Sequence, residues 1–406
     1  MLRLAYAVRR GFSCAGFALL GAALVACGHN TGEEPPTEPV IWNPPGDHPS
    51  PKSTTIYDES KVVDFHVSFP PGQFETLIGS REKPELRWVD CSLTFEGESF
   101  PNAACRRKGN TFSWDSERKP QFVVRFNLKD PKGRFRGLRR LNFESFDGAK
   151  APMRDRLGMW LMREAGIDAS RVNHARVFKD GALLGVYMNV EAVDKEFLED
   201  HFAAEATGNL WEDGELKTNE DVNDRTRLVA LQNLVRDEPL EGDHTAFFTQ
   251  LDALVDVSQI LREMAAETAL IAADNFSNGS PRNFFYYEHP TRGFQVLPWD
   301  LDSIFLSPLD SDPFEFWANQ RPNKLRQLMN QNPTWRAEYI AALVDIRDRI
   351  LTRAPARLAA ICAQIAPVLR EDVNRVSTYE DYQSDCATLG LQIQQRITSL
   401  RTLLGR

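Results

Sequence analysis

Asp274, Asn283, Asp300 and Asp302 stand together in the segment AADNFSNGSPRNFFYYEHPTRGFQVLPWDLDSIF. Carboxylate and amide oxygens are the ligands that a hard divalent cation such as Mg²⁺ takes, with phosphates and water completing its shell. Their order also follows the logic of phosphoryl transfer. One Asp orients or deprotonates the acceptor hydroxyl, and a following Asn and a later Asp hold metal ions on the nucleotide phosphates. Asp274 fits the first role; Asn283 and Asp300 fit the second. Asp302, at i+2, assists if the chain stays extended there. Any one of these residues alone reads as a cap or a plain strand end. Their order around one hairpin is what points to chemistry.

The elements that would position them are readable. FFYYE and FQVLP are equal arms of a hairpin, with HPTRG between them. Neighbouring strands lie ~4.8 Å apart, so Asn283, before the first arm, should sit beside Asp300, after the second. A helix, SQILREMAAETALIAAD, ends near Asp274, and a polar loop from Ser277 to Arg282 returns the chain to the hairpin. Three oxygen-bearing side chains then converge at a loop–strand junction.

Upstream, KVVDFHVSF, RWVDCSLTFEG, NAACRRKGNTF, KPQFVVRFNL and GLRRLNF read as strands, so the first part is strand-rich and antiparallel. MRDRLGMWLMREAG is a helix, with apolar residues at helical spacing and Gly166 as its stop. VNHARVF and LLGVYMNV form a hairpin across Lys179-Asp180-Gly181. From Asp194 on helices dominate, interrupted by the one hairpin near 284–298, and residues 335–406 are mostly helical with a break near Asp381. A β-rich lobe followed by an α-rich one makes the class α+β, an order that suits an atypical protein-kinase-like two-lobed fold. The expected division is 56–192 for the first lobe and 193–406 for the second.

The remaining features concern address and redox state. MLRLAYAVRRGFSCAGFALLGAALVAC opens with Arg3, Arg9 and Arg10 and continues with an uncharged apolar run, shorter than the ~20 residues of a membrane span. Leu24-Val25-Ala26-Cys27 resembles the lipobox of bacterial lipoproteins, which implies lipidation at Cys27 and removal of what precedes it. The alternatives are an ordinary secretory signal or an uncleaved anchor. Gly28 in the next position leans toward the outer membrane of a diderm cell. Residues 28–55, rich in Pro, Gly, Thr, Ser and acids, read as a disordered tether. About 350 residues remain, enough for one two-lobed domain or two domains. The net charge of −9, with both signs mixed along the chain, excludes the clustered basic footprint of a nucleic-acid binder. Cys91, Cys105, Cys362 and Cys386 are an even set in an exported chain. Local pairing, Cys91 with Cys105 and Cys362 with Cys386, is the simplest arrangement, and four free buried thiols are the alternative.

Several segments together resemble the CotH kinase family, atypical kinases named after a spore-coat protein. They are CRRKGNTFSW, KPQFVVRF, MRDRLGMWLMREAG, GALLGVYMNVEAVDKEFLE, and above all DNF, RNFFYY and PWDLDSIF. The likeness spans about residues 57 to 400. It implies transfer of phosphate from ATP to protein Ser or Thr with Mg²⁺ or Mn²⁺, Asp274 as the catalytic Asp, and Asn283 and Asp300 as metal ligands. Lys108, Lys119 and Arg125, with Arg106 behind them, become basic contacts for the nucleotide phosphates. Glu191 would line the nucleotide pocket or brace the hinge between lobes. Arg125 departs from the family's frequent Lys, and Leu306 from its frequent Gly. The implied protein is an exported, lipid-anchored kinase acting on a surface or periplasmic protein, with no nucleic-acid partner. The alternatives are a catalytically silent adhesion or envelope-binding protein, and an AMP transferase.

Overall fold

The computed structural model describes residues 52–79, 87–108, 119–145, 152–306, 308–314, 322–375 and 377–405. Cys27, the expected signal segment and most of the expected tether lie outside these residues, as does the 109–114 stretch of CRRKGNTFSW. Of the expected tether, residues 52–55 are described, and they form a short helical turn with Ser53 buried.

Seven strands close into a barrel. They are β1 (Val63–Ser68), β2 (Val89–Phe95), β3 (Glu98–Arg107), β4 (Phe122–Arg125), β5 (Arg140–Glu144), β6 (Val172–Lys179) and β7 (Ala182–Val190). The order around the barrel is β1-β2-β3-β4-β5-β7-β6. Period-2 alternation drives it: in β1, Val63, Phe65 and Val67 point inward while Asp64, His66 and Ser68 do not. Phe65, Phe95, Phe122, Phe143 and Tyr187 fill the interior. The expected all-antiparallel pairing is corrected at one seam. β6 returns beside β1 in parallel and so removes both sheet edges. The β6–β7 turn forms as Asp-Gly dictates, with Asp180 and Gly181 at φ of 50° and 88°. Both expected disulfides are present. Cys91–Cys105 staples β2 to β3, with 5.9 Å between Cα atoms. Cys362–Cys386, at 6.4 Å, joins α9 (Ala354–Glu371) to α10 (Tyr379–Leu403).

The other helices are α1 (Gln73–Gly79), α2 (Arg154–Glu164), α3 (Lys195–Phe202), α4 (Thr226–Asp237), α5 (Thr245–Asp252), α6 (Val257–Leu270), α7 (Lys324–Met329) and α8 (Pro333–Asp345). The α+β class stands, with helices dominating the second part. Residues of α2, α6, α8, α9 and α10 share one apolar core, so α2, although it lies between barrel strands in sequence, packs with the helical part. The second part contains more sheet than one hairpin. β8 (Asn209–Glu212) and β9 (Glu215–Leu216) join β10 (Phe284–His289) and β11 (Gly293–Pro298) in the order β11-β10-β8-β9. Asp213-Gly214, both at positive φ, makes their turn. The break before α10 is a capping box between Thr378 and Asp381. Among the described residues no helix is long and apolar enough to cross a membrane.

One buried ion pair ties the two parts together. Lys119 Nζ donates to Asp372 Oδ2 at 2.7 Å, with both side chains fully buried. Asp372 also accepts the Val186 N–H at 2.8 Å. A Cβ at Gly185 would stand 2.8 Å from Lys119 Cε, so only glycine leaves room for this strut. Lys119 therefore sits against the loop joining α9 and α10.

Candidate active site

The hairpin register runs from Phe284↔Pro298 to His289↔Gly293. The ladder gains one further rung, the Trp299 N–H donating to Asn283 O at 3.0 Å. Asn283 thus faces Trp299 directly, and Asp300 follows one residue later. Both Asn283 and Asp300 take left-handed backbone, at φ of 54° and 52°. Asn and Asp enter that region more readily than most residues. The buried Asn275 side chain spans the two strand ends, donating to Trp299 O at 2.9 Å and Asn283 O at 3.3 Å.

Asp274 lies in the loop after α6, not at the helix end as expected. The helix stops at Leu270, with Ile271 as a left-handed cap. Glu267 then takes over: its carboxylate accepts the N–H groups of Phe276 at 2.9 Å and Ser277 at 2.7 Å. That fixes the chain immediately beyond Asp274. Asn283 Nδ2 donates to Asp274 O at 2.9 Å and to its Oδ2 at 3.4 Å. Arg282 Nε approaches Asp274 Oδ1 at 3.1 Å. The loop and the hairpin end therefore meet through Asn283 and Asp274. Asp302 departs from the extended course considered for it. The chain curls into a helical turn, Leu301–Ser303, and Ser303 Oγ donates to Asp302 Oδ1 at 2.8 Å.

Two residues that sequence reasoning left without a role complete this end. Asp155, in the first turn of α2, is 3% exposed and accepts the Leu301 N–H at 2.8 Å. Burial, then the charges of Asp300 and Asp302, push its carboxyl well above the usual range. Glu144, at the end of β5, pairs with Lys108. Lys108 Nζ in turn lies 5.5 Å from the centre of the Trp299 ring, which brings it to the hairpin end. The Asp300 and Asp302 carboxylates add to burial in raising Asp155, and negative charge gathered at this end is what a cation would relieve, so the residues present suit a divalent ion. Among the described residues no cluster of three or more His, Cys, Asp or Glu side chains is arranged to hold a metal alone. An ion here would take Asn283 Oδ1, Asp300, Asp302 and outside oxygens, in keeping with the habit of Mg²⁺ to share its shell with phosphates.

The basic residues divide. Arg106 is two positions before Lys108 and shares its strand face. With Trp88, Arg125, Arg140 and Lys217, Arg106 lines a cavity of about 250 Å³. Burial and then the neighbouring Arg140 and Arg125 depress the Arg106 guanidinium, the mark of crowded cations. Lys119 belongs to the buried strut described above.

Glu191 enters a buried network. Arg171 donates to it through its backbone N–H at 2.9 Å and its Nε at 3.0 Å. His201 reaches Glu191 at 3.5 Å and Asp168 at 3.2 Å. Burial opposes charge on Glu191, but Arg171 and His201 outweigh it and hold the carboxyl far below its usual range. Glu191 thus ties Arg171 of the β6 approach to His201 of α3. Burial likewise lowers His201, yet its bonds to Asp168 and Glu191 prevail and raise it to about 9. The unfolded imidazole titrates near ~6.5. Its charge therefore stabilises the fold fully below that pH, and the stabilisation is lost as pH rises through 9. The loss should reach about 3 kcal/mol. Urea titrations from pH 6 to 10 should show this decline, and His201→Gln should flatten it; equal slopes would remove His201 from the account.

The sequence contained weak signals for the residues it left unassigned. Asp155 lies within the MRDRL helix, and Glu144 follows directly on GLRRLNF. Glu267 is a lone acid in an otherwise apolar helix end, and Trp88 is an aromatic beside a strand.

A family model described as CotH kinase protein matches residues 97–402. No curated protein matches the chain. Among solved structures, the chain is similar to the Helicobacter pylori proinflammatory kinase CtkA. That match covers 70% of this chain and 91% of the other, at 10% identity and a TM-score of 0.37. It is also similar to a chain of the Shewanella oneidensis MR-1 HipA–HipB toxin–antitoxin complex with operator DNA. There the coverage is 66% of this chain and 58% of the other, at 16% identity and a TM-score of 0.31.

Proposed function

The chain belongs to the CotH kinase family, and from that premise we propose that it is a metal-dependent kinase transferring the γ-phosphate of ATP to protein Ser or Thr hydroxyls. The observation that carries this reading is the Asn283–Asp274 hydrogen bond at the hairpin end from which Asp300 emerges.

Asp274 accepts the proton of the attacking hydroxyl as its oxygen bonds to the γ-phosphorus and ADP leaves. Asn283 and Asp300, assisted by Asp302, would hold Mg²⁺ or Mn²⁺. When bound, such an ion neutralises charge on the phosphate oxygens. Lys108 meets the phosphates in this reading, with Arg106 and Arg125 further along the same barrel face. Lys119 supports the barrel from within, and Glu191 braces the junction. The reading includes export, a lipid anchor at Cys27 and residence in the cell envelope, on the outer membrane in a diderm cell. Its substrate is then a surface or periplasmic protein, not a nucleic acid.

A ligand that binds only the folded form must raise its stability, by about 2.7 kcal/mol at a hundred times Kd. Melting curves of the folded domain should therefore shift upward with ATP and Mg²⁺ together, and much less with ATP alone. No shift with either would remove the nucleotide from the account.

A further inference from the structure

We propose that α2 is the positioning element of the metal-binding turn, and that Asp155 acts by capturing the Leu301 N–H. This rests on the reading of Asp300 as a metal ligand.

Asp300 sits in left-handed backbone, at φ of 52°. That conformation is disfavoured for a residue with a Cβ, so surrounding contacts must hold it. α2 supplies three such contacts, one on each side of Asp302 and one beneath the turn. Asp155 Oδ1 accepts the Leu301 N–H at 2.8 Å, directly after Asp300. Arg154 donates to Ile304 O beyond the turn, and also to Gln392 Oε1 of α10 at 3.2 Å. Gly158, one helical turn on, lies flush beneath. A Cβ there would come within 2.8 Å of Leu301 Cβ and 3.1 Å of Leu301 Cδ1. α2 is therefore shaped to this turn, through an acceptor, a donor and a missing side chain on one face. Its apolar residues Leu157, Met159, Leu161 and Met162 lie in the large apolar core shared with α6, α8, α9 and α10. The arrangement makes Asp155 a positioning residue: it sets where the Asp300 carboxylate stands and meets the backbone, not the nucleotide.

The test is titration of ADP, with and without Mg²⁺, into wild type, Asp155→Asn, Asp155→Ala and Gly158→Ala. Asn keeps an Oδ1 acceptor and should restore wild-type behaviour to within about twofold. Asp155→Ala should raise the Mg²⁺ concentration needed for half-maximal ADP binding by ~10- to 100-fold, the range for lost support of a metal ligand. Gly158→Ala, which leaves every acid in place, should shift it in the same direction. Metal-free ADP binding should be unchanged in all of them. If Asp155→Asn is as weak as Asp155→Ala, Asp155 acts by charge and the positioning role is overturned. A Mg²⁺ response in wild type that Asp155→Ala and Gly158→Ala both retain also overturns it, and leaves the functional reading standing. Absence of any Mg²⁺ response in wild type overturns that reading and this inference together.

Discussion

Asp274→Asn is expected to bind ATP with Mg²⁺ nearly as wild type does and to lose phosphotransfer by about 10²- to 10⁴-fold, the usual contribution of a positioned general base. The substitution keeps shape, so the Asn283 amide still has an acceptor in the Asp274 backbone carbonyl, at 2.9 Å. Glu267 continues to hold the following loop through Phe276 and Ser277. What is lost is the carboxylate that would take the hydroxyl proton. The Asp274 side chain is 41% exposed, so a substrate hydroxyl can reach it from outside. Nucleotide titration and single-turnover transfer, measured side by side, separate the two effects. A variant that fails to bind nucleotide would place Asp274 among the metal ligands instead. One that transfers at the wild-type rate would remove it from the chemistry.

Asp300→Asn should fail differently, losing metal-dependent binding and turnover together. Charge neutralisation by a bound cation contributes several kcal/mol to such a transition state. At ~1.4 kcal/mol per factor of ten, that is about three orders of magnitude in rate. The Asn side chain still fits the left-handed position that Asp300 occupies at φ of 52°. The backbone held by Asp155 then stays in place, and the loss is one of charge. Raising Mg²⁺ or substituting Mn²⁺ should recover part of the activity in Asp300→Asn and none in Asp274→Asn. Rate measured against metal concentration reads this directly. An unchanged metal requirement would exclude Asp300 as a ligand.

The features legible in the sequence were those set by nearby residues. Asp180-Gly181 closes one hairpin, and the equal arms of β10 and β11 bring Asn283 to the end of the second arm, although Trp299, not Asp300 as expected, stands directly opposite it. Cysteine spacing was enough for both disulfides, because each pair closes a short local loop. What escaped was long-range. The parallel β1–β6 seam that closes the barrel joins strands about a hundred residues apart, with Val63 opposite Ala175. Lys119 reads as a free strand cation until the chain brings Asp372 onto it from 253 residues away. Asp155 reads as a first-turn helix acid, and only the packing of α2 under residues 301–304 gives it a partner. β8 and β9 were missed for another reason. They are too short for alternation to show, although Asp213-Gly214 marks their turn. The left-handed Ile271 cap also has no sequence signature, since a β-branched residue there runs against its own preference.

The most direct test is incubation of the folded domain with Mg²⁺ and a protein acceptor, using ATP labelled in the γ- or the α-phosphate, beside Asp300→Ala. γ-label should appear on Ser or Thr of the acceptor or of the domain itself, with no α-label and no transfer by the variant. Transfer of α-label would make the protein a nucleotidyl transferase, and γ-label transfer that survives in Asp300→Ala would contradict the assignment of this hairpin end as its catalytic centre.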